Sequence, residues 1–403
     1  MRILFLSSMY PNPDVPTCGT FNAALCRSLS QDHDVHVIAP RHFTERYSRK
    51  ASSNDSGAQN SILVEHPTYW YTPKCLTTKY GSMMWWSARL TVNRVLRQFQ
   101  PDVVLSYWAH PDGEVGLRVA KQIGVPAAVI VGGTDVLILP QEPRRGLRIR
   151  NVLTESDAVI TVSDGLNQAV QQLGVNPDNV HTIYQGVFDD VFHSRISREE
   201  SRRRLGLESD RAHLLWVGRM VPIKGLDVLL RSMALLRETS EAFVLHLLGD
   251  GPLRPELEAL ARTLGLQDCV RFEGSVDHQR LGDWYRAAGL TVLSSHSEGL
   301  PNVLRESLAC GTPFTATNVG SIREIAVPEA SRLVTPNDPA AFMRGIQEML
   351  TPEAREAARL VRVRTWNDTA RETAALLESL RDPTSAEDRS LRASERIPFH
   401  SPA

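Results

Sequence analysis

The sequence predicts an α/β protein with two facing Rossmann-like domains, each built on a parallel sheet, and a cleft between them. Its length of 403 residues exceeds what one hydrophobic core ordinarily supports, so two domains are expected. Short β-rich runs alternate with helical patterns, and this alternation passes through the chain twice. Repeated βα units indicate parallel sheets that are covered by helices on both faces.

The individual elements follow from the local spacing of apolar residues. In the first half, β-rich runs predict six strands, at residues 3–7, 35–39, 62–64, 103–106, 127–131 and 158–162. The patterns between them predict helices at 20–29, 83–99 and 114–123. The second half has predicted strands at 214–217, 243–248, 270–272, 290–294 and 314–317. Its predicted helices are 226–238, 253–264 and 368–380.

The order of these elements also predicts the domain boundaries. We expect an N-terminal domain at 1–190, a C-terminal domain at 191–365, a last helix at 366–381 and a tail at 382–403. The charged stretch 193–204 is predicted to be the linker between the domains. Residues 48–61 and the tail are rich in polar residues and have little to bury, so both are predicted to be flexible.

Composition limits the class of protein. Hydrophobic residues make up 42% of the chain and charged residues 23%, which is typical of a soluble globular protein. A net charge of −1 argues against a nucleic-acid partner, because such proteins usually carry a basic domain. The five cysteines form no Cys-x-x-Cys pair, which indicates a reducing compartment and no zinc site. No apolar run is long enough for a signal peptide or a membrane span, so a cytoplasmic protein is expected.

The most informative stretch carries two carboxylates, Glu298 and Glu306, around a Gly/Pro loop that follows the predicted strand 290–294. In an α/β sheet such a loop lies at the carboxyl ends of the strands, where ligands bind. The free N–H groups at the start of the next helix can hold a phosphate, and Pro301 costs little there. Carboxylates for hydroxyls beside a seat for phosphate predict a nucleotide-sugar site. Three more residues of this loop and helix start are assigned to the site: Leu300, Asn302 and Val303.

Two further loops of the second half follow predicted strands. Arg219 and Lys224 suit a pyrophosphate, because arginine binds it as a fork and lysine as a point charge. The alternative is a solvated loop with incidental basic residues. Gly249 and Gly251 allow a tight turn that a ligand can approach closely. A plain turn before a helix that starts with proline explains these glycines equally well.

The stretch from Glu298 to Glu306, continued by Ser-Leu-Ala-Cys-Gly-Thr-Pro, resembles the Glu-x7-Glu motif of the retaining glycosyltransferases of family 4, also called group 1. The resemblance covers residues 1–380 in order and spacing. It implies the GT-B fold, with the last helix crossing back to the N-terminal domain. It also implies a hexosyltransferase that retains the anomeric configuration of a nucleoside diphosphate sugar. Glu298 would bind sugar hydroxyls and Glu306 the ribose, while Arg219 and Lys224 would neutralise the diphosphate.

The same resemblance implies that Gly249 and Gly251 line the nucleotide and that Glu273 faces the base. No Asp-x-Asp element stands at a convincing strand end, so we expect neither a metal nor a cofactor besides the donor substrate. The chain also lacks Gly-x-Gly-x-x-Gly after its first predicted strand, which counts against a dehydrogenase.

In the N-terminal half, His110 follows the predicted strand 103–106 and matches a histidine that reaches the transferred sugar in related enzymes. A lone histidine is otherwise more often structural. Asp135 would orient an acceptor or His110, or would cap a helix. Gly19 ends a loop whose backbone approaches the donor phosphate and the acceptor, and Cys18 stands where many relatives have a second glycine.

The predicted partners are the nucleotide-sugar donor and a glycan or lipid-linked acceptor, and the resemblance favours enzymes of bacterial cell-surface or teichuronic-acid-type polysaccharides. Residues 81–86 contain two methionines and two tryptophans among basic neighbours. They could dock on a lipid-linked acceptor or on the anionic inner face of a membrane, or they could form a buried helix face. A sugar-nucleotide epimerase of GT-B fold and a catalytically silent nucleotide-sugar-binding protein are the alternative functions.

Overall fold

The computed structural model describes residues 1–44, 62–208, 210–239 and 243–381. The two segments predicted to be flexible, 48–61 and 382–403, lie outside the described residues. The chain divides into two compact units, one formed by Met1–Gln185 with the chain from Trp366 onward, and one formed by Gly186–Thr365.

The first unit is built on a seven-stranded parallel sheet. Its strands are β1 (Arg2–Leu6), β2 (Asp34–Ile38), β4 (Leu63–Glu65), β6 (Val103–Tyr107), β7 (Ala127–Val131), β8 (Ala158–Thr161) and β9 (Val180–Thr182), and a separate pair is formed by β3 (Arg41–His42) and β5 (Thr68–Tyr69). The order in the sheet is β4-β2-β1-β6-β7-β8-β9. Strands β6 and β7 are buried along their whole length, as expected for a sheet that is covered on both faces.

Seven helices of the described residues belong to the first unit: α1 (Thr20–Leu29), α2 (Tyr80–Phe99), α3 (Glu114–Ile123), α4 (Thr134–Leu137), α5 (Pro143–Glu155), α6 (Asp164–Gln172) and α14 (Trp366–Ser379). Helix α14 packs against α1, and its Thr369 hydroxyl donates to the Tyr184 carbonyl at 2.8 Å. The last helix of the described residues is therefore part of the unit that also contains β1.

The second unit is built on a six-stranded parallel sheet. Its strands are β10 (Ala212–Val217), β11 (Phe243–Leu248), β12 (Val270–Gly274), β13 (Leu290–Leu293), β14 (Phe314–Thr317) and β15 (Ser331–Val334). Its helices are α7 (Arg198–Leu205), α8 (Leu226–Thr239), α9 (Arg254–Thr263), α10 (His278–Ala287), α11 (Asn302–Ala309), α12 (Pro339–Met349) and α13 (Pro352–Leu360). The order in the sheet is β12-β11-β10-β13-β14-β15, and a continuous apolar core lies between the sheet and its helices. The predicted α/β class with two Rossmann-like units is confirmed.

The prediction of a linker at 193–204 is wrong, because most of this stretch is the helix α7. Ser197 begins the helix by accepting the Glu200 backbone N–H at 3.1 Å, which satisfies one of the free amides of the first turn. The Arg202 side chain is buried and donates to the Ala287 carbonyl at 3.0 Å. The charge-rich composition concealed a helix whose few inward positions are filled by Ser201 and Arg202 instead of apolar residues.

The sequence patterns also missed elements at the periphery of both sheets. Strands β9 and β15 are short, lie at sheet edges and are buried over only part of their length. Helix α5 is rich in arginine, and only Ile149, Val152 and Leu153 are buried along it. Such short or narrow apolar patterns are too weak to stand out in a single sequence.

Candidate active site

The chain order reverses once in each sheet, and most of the predicted site residues follow the strands at these two positions. In the second unit the reversal lies between β10 and β13, which pair directly. A crevice opens at the carboxyl ends of strands where the order reverses, so this topology selects the loops that follow β10 and β13. The two loops are joined by a hydrogen bond of 2.8 Å from the His296 backbone N–H to the Ile223 carbonyl.

Lys224 and Glu298, predicted from separate loops, form a direct ion pair. The Lys224 Nζ lies 2.6 Å from the Glu298 Oε1, and the Ser295 hydroxyl donates to the same oxygen at 2.6 Å. The side chains of Lys224 and Glu298 are 25% and 10% exposed, so the pair is largely removed from water. Charge-assisted hydrogen bonds of this length are strong, and they hold both groups in a defined orientation.

Glu306 lies about one helical turn inside α11, which begins at Asn302 directly after Pro301. Its Oε2 accepts a hydrogen bond of 2.8 Å from the hydroxyl of Tyr285, a fully buried residue of α10. Burial raises the pKa of the Glu306 carboxyl, while the Tyr285 hydroxyl and the charge of Arg305 act in the opposite direction. A half-buried carboxylate with one fixed donor is prepared to accept further hydrogen bonds, for example from the hydroxyls of a ligand.

The remaining predicted residues of this edge are more accessible. Arg219 follows β10 and is exposed, and Asn302 is exposed at the start of α11. Leu300 and Val303, which flank Asn302 in the sequence, are half-buried. The edge therefore presents one exposed guanidinium, a helix start and an internally paired lysine, a combination that suits a phosphate-bearing ligand.

Close packing of the backbone within this chain requires glycine at positions 249 and 251. A Cβ on Gly249 would lie 1.9 Å from the Gly218 carbonyl oxygen, and one on Gly251 would lie 2.4 Å from the Met220 carbonyl oxygen. Gly249 also has a φ of +124°, which other residues rarely adopt. The two glycines let the loop after β11 pack on the loop after β10, so the close approach that the sequence predicted is to backbone. Contact with a nucleotide stays a prediction.

Glu273, predicted to face the base, contacts a histidine of the neighbouring strand. The His246 Nδ1 lies 2.7 Å from the Glu273 Oε1, and this hydrogen bond lowers the pKa of the carboxyl. His246 in turn meets His213 of β10, with 2.9 Å between its Nε2 and the His213 Nδ1. The Glu273 carboxylate is therefore engaged in a polar chain across three strands, and its contact with a base is untested.

In the first unit the chain order reverses between β1 and β6, and His110 follows β6. The structure does not expose this histidine: its side chain is fully buried. Burial and the nearby charges of Arg145 and Arg148 lower its pKa to about 3, so the imidazole is neutral. Its Nε2 lies 3.5 Å from the Glu114 Oε2, which is too long for a hydrogen bond. Contact between His110 and the transferred sugar stays a prediction.

Asp135 is also fully buried, which does not fit direct contact with an acceptor. Its carboxylate accepts backbone N–H groups from Ala109, Gly132 and Gly133 at distances of 3.2, 3.1 and 2.9 Å. The Ala109 contact ties Asp135 to the loop that carries His110. Of the predicted roles, orientation of that loop is the one that these contacts support.

Gly19 ends the loop after β1 in a left-handed conformation, with φ at +59°. A Cβ there would lie 2.2 Å from the Met9 carbonyl oxygen, so the glycine is required by the folding of the loop on itself. The loop is tied to its neighbour by Asp112, which accepts both the backbone N–H and the hydroxyl of Ser8. Burial raises the pKa of Asp112 to about 7, although the Ser8 hydrogen bonds oppose this shift.

Three residues that position the candidate site were not predicted from sequence. Tyr285 holds Glu306, Ser295 holds Glu298, and Asp112 joins the two loops of the first unit. Tyr285 lies 21 positions from its partner, so no local pattern could have revealed it. Ser295 is three residues from Glu298 at the end of a predicted strand, and a polar residue in that place is the one available signal.

Among the described residues, no group of three or more histidines, cysteines or acidic residues is arranged to hold a metal ion. The same part of the chain has no helix whose length and apolar character would let it cross a membrane.

Comparison with known proteins gives two family matches. Residues 19–191 match the model of Glycosyltransferase Family 4, and residues 197–362 match that of Glycosyl transferases group 1. The chain is 35% identical over 283 residues to a D-inositol 3-phosphate glycosyltransferase of Thermomonospora curvata, covering 63% of this chain and 64% of the relative. It therefore spans just under two thirds of that relative's length. It is also 26% identical over 363 residues to a Bacillus subtilis protein named as a teichuronic acid biosynthesis glycosyltransferase, covering 86% of this chain and 88% of the relative.

Solved structures give the same fold. A sucrose-phosphate synthase from Thermosynechococcus elongatus superposes with a TM-score of 0.69 at 20% identity, covering 98% of this chain and 99% of the other. The Anabaena protein HepE in complex with UDP superposes with a TM-score of 0.68 at 19% identity, covering 97% and 100%. The fold of this chain is thus the two-unit GT-B fold of glycosyltransferases. The first unit thus matches Glycosyltransferase Family 4 and the second matches Glycosyl transferases group 1, so both units resemble glycosyltransferase domains.

Proposed function

We propose that this chain transfers a hexose from a nucleoside diphosphate sugar to a glycan or lipid-linked glycan, with retention of anomeric configuration and without a metal. The observation that carries the proposal is the Lys224–Glu298 pair at the carboxyl ends of β10 and β13. The pair consists of a cation and a carboxylate at the carboxyl ends of the strands, where a parallel sheet binds its ligand. Glu298 also precedes the first residue of α11 by four positions in sequence.

The chemistry follows from the charges that develop. Breaking the glycosidic bond leaves positive charge on the sugar and negative charge on the departing diphosphate. Lys224, Arg219 and the N–H groups at the start of α11 stabilise the diphosphate, and Lys224 and the helix start are already oriented before the reaction. Glu298 binds sugar hydroxyls, and Glu306 binds the ribose. These roles require no metal ion, since the protein supplies the compensating charge itself.

Product analysis tests the proposal directly. The purified chain is incubated with UDP-, GDP- and ADP-sugars together with an acceptor mixture, and the products are separated by chromatography and identified by mass. We expect a new glycoside with one class of nucleotide. An epimerised sugar nucleotide would instead identify an epimerase, and binding without any product would identify a silent binding protein. Anomeric coupling constants of the product give the stereochemistry, and an unchanged rate in EDTA supports independence from metals.

The acceptor mixture follows from the relatives. Its first members are D-inositol 3-phosphate and fragments of teichuronic-acid-type polysaccharide, because the names of similar proteins contain these compounds. Neither acceptor is favoured by a contact within this chain, so the screen decides between them.

We further propose that this cytoplasmic enzyme docks on the inner face of a membrane through α2. Met84 and Trp85 are buried in the core of the first unit, but Trp86 and Leu90 are 65% and 77% exposed. Trp86 and Leu90 are four positions apart and share one face of the helix. The Arg89 guanidinium lies 4.0 Å over the Trp86 ring, which adds a cation beside the apolar pair. An aromatic and an aliphatic residue with an adjacent cation suit an anionic membrane surface.

We expect the chain to sediment with anionic vesicles and the Trp86→Ser/Leu90→Ser variant to remain in the supernatant. Leu360→Ser is the matched control, because Leu360 is 78% exposed on the second unit. A wild-type protein that stays wholly in the supernatant would refute docking, as would equal sedimentation of the double variant.

A further inference from the structure

A second cavity lies in the second unit, at the edge of the sheet opposite the candidate active site. Its volume is about 570 Å³. Ala212 at the start of β10 and Gly289 just before β13 line it, so it opens at the amino ends of the strands. The first residues of α7 and α13 form two of its other walls. The predicted nucleotide-sugar site with Arg219, Lys224, Glu298 and Glu306, called the donor edge below, lies at the carboxyl ends of the same sheet. The cavity and the donor edge are therefore separate sites.

The lining of the cavity carries more positive than negative side chains. Its lining contains five arginines, Arg198, Arg202, Arg211, Arg355 and Arg359. It contains three carboxylates, those of Glu199, Asp210 and Glu356. Burial and the neighbouring charges of Arg198 and Arg202 lower the pKa of the Arg355 guanidinium to about 10. Such a concentration of like charge is unfavourable in the empty cavity, and a bound anion would relieve it.

Three of the arginines already have a structural task, and one of them, Arg211, donates to the Phe243 carbonyl at 2.8 Å. Arg202 donates to the Ala287 carbonyl, and Arg355 donates to the carbonyls of Arg286 and Ala288 at 2.8 and 2.6 Å. These carbonyls end α10, where cations are favourable. Such contacts orient the guanidinium groups on the cavity wall, but a carbonyl carries no full charge and leaves the excess of positive charge in place.

The other cationic side chains are only loosely paired. Arg198 lies 3.6 Å from Glu199, and Arg359 lies 3.7 Å from Glu356. These two arginines are 38% and 57% exposed, so each can turn toward a ligand. The positive ends of α7 and α13 add to the same field, because both helices begin at the cavity.

We propose that this cavity binds the phosphate group of a small soluble compound, as an anion site independent of the nucleotide-sugar donor. Arginine forks match the geometry of phosphate, and two helix starts supply N–H groups beside them. The volume falls in the range of about 300–1,000 Å³ that is usual for small-molecule sites, so it accepts a phosphorylated sugar or a nucleotide rather than phosphate alone.

Calorimetry with inorganic pyrophosphate tests the site. The donor edge is first disabled by Arg219→Gln/Lys224→Gln in the full chain, so that the proposed cavity is the remaining site. We expect this variant to bind pyrophosphate, and we expect the further substitutions Arg198→Gln/Arg359→Gln to weaken binding by at least about tenfold. Arg231→Gln/Arg332→Gln removes two exposed cations elsewhere on the same unit and should have no effect.

The proposal would be overturned if the donor-edge variant did not bind pyrophosphate. It would also be overturned if binding of pyrophosphate survived the cavity substitutions. Both outcomes are measured as pyrophosphate binding and do not depend on transfer activity. A failure of the proposed enzyme function would therefore be a separate result. Arg198 and Arg359 do not hold α10, and a thermal unfolding curve that matches the control confirms that loss of binding is not loss of folding.

A phosphate can also belong to a lipid head group, and vesicles separate the two sources. The donor-edge variant, with and without the cavity substitutions, is sedimented with phosphatidylcholine vesicles that contain phosphatidic acid. We expect equal sedimentation of the two proteins. Sedimentation that depends on Arg198 and Arg359, without binding of free pyrophosphate, would contradict a soluble ligand.

Discussion

Replacing Lys224 by alanine is expected to lower kcat by roughly a hundred- to a thousand-fold, the usual effect of removing one oriented group that stabilises charge in a transition state. Lys224 is positioned by its 2.6 Å contact with Glu298 at the donor edge. Its loss removes charge from the departing diphosphate and also releases Glu298, which then keeps the Ser295 hydroxyl. The measurement is the steady-state rate of glycoside formation with the donor that the product screen identifies.

Two variants serve as controls for Lys224→Ala. Arg332→Ala removes a cation from an exposed ion pair with Glu348 on the same unit, and should leave kcat unchanged. Lys224→Arg keeps the charge but changes its geometry, and should recover part of the rate. A full rate in Lys224→Ala would remove the central residue from the proposed mechanism. The alanine variant should also unfold more easily, by about 1–3 kcal/mol, because a poorly solvated carboxylate loses a partner.

The second large effect is expected at Glu306. Glu306→Gln should weaken donor binding by about ten- to a hundred-fold, because hydrogen bonds to a charged group contribute roughly 1.5–3 kcal/mol. The amide oxygen can still accept the Tyr285 hydroxyl, so the fold of α11 should survive. The measurement is the thermal shift caused by nucleotide sugars in the wild type and the variant. Glu329→Gln, an exposed carboxylate of the same unit, is the matched control.

The pH dependence distinguishes a binding role for Glu306 from a structural one. Burial raises the pKa of its carboxyl above that of an ordinary glutamate. Donor affinity that depends on the carboxylate should therefore be complete above this raised pKa and should decline as the pH falls through it. Glu306→Gln should show no such decline. An identical pH profile in wild type and variant would mean that Glu306 does not contact the donor.

The agreement between sequence and structure differs between the two units. In the second unit, Lys224 and Glu298 were predicted from separate motifs and meet in one ion pair. They meet because β10 and β13 are neighbours in the sheet, although the paired residues Leu214 and Leu290 are 76 positions apart in the chain. Each motif follows an apolar strand directly, and the loop at a strand end is where a parallel sheet exposes polar groups. The local pattern therefore contained most of the information.

In the first unit the same reasoning placed His110 correctly after β6 but could not give its burial. Whether a side chain at a strand end faces outward or inward depends on the loop conformation and on what packs above it. Here α5 brings Arg145 toward the ring, and the histidine is enclosed. Asp135 is enclosed in a similar way by the backbone that it supports. Neither environment is encoded within a few residues of the motif.

Sequence alone determined the α/β class, the two units and the positions of Arg219, Lys224, Glu298 and Glu306, because these depend on local apolar spacing and on residues that directly follow strands. Only the tertiary structure decided which charges meet. The Tyr285–Glu306 hydrogen bond, the enclosure of His110 and the arginine cavity all join elements that are distant in the chain. Their energies come from removal of water and from packing between these elements, and such properties do not exist until the chain has folded.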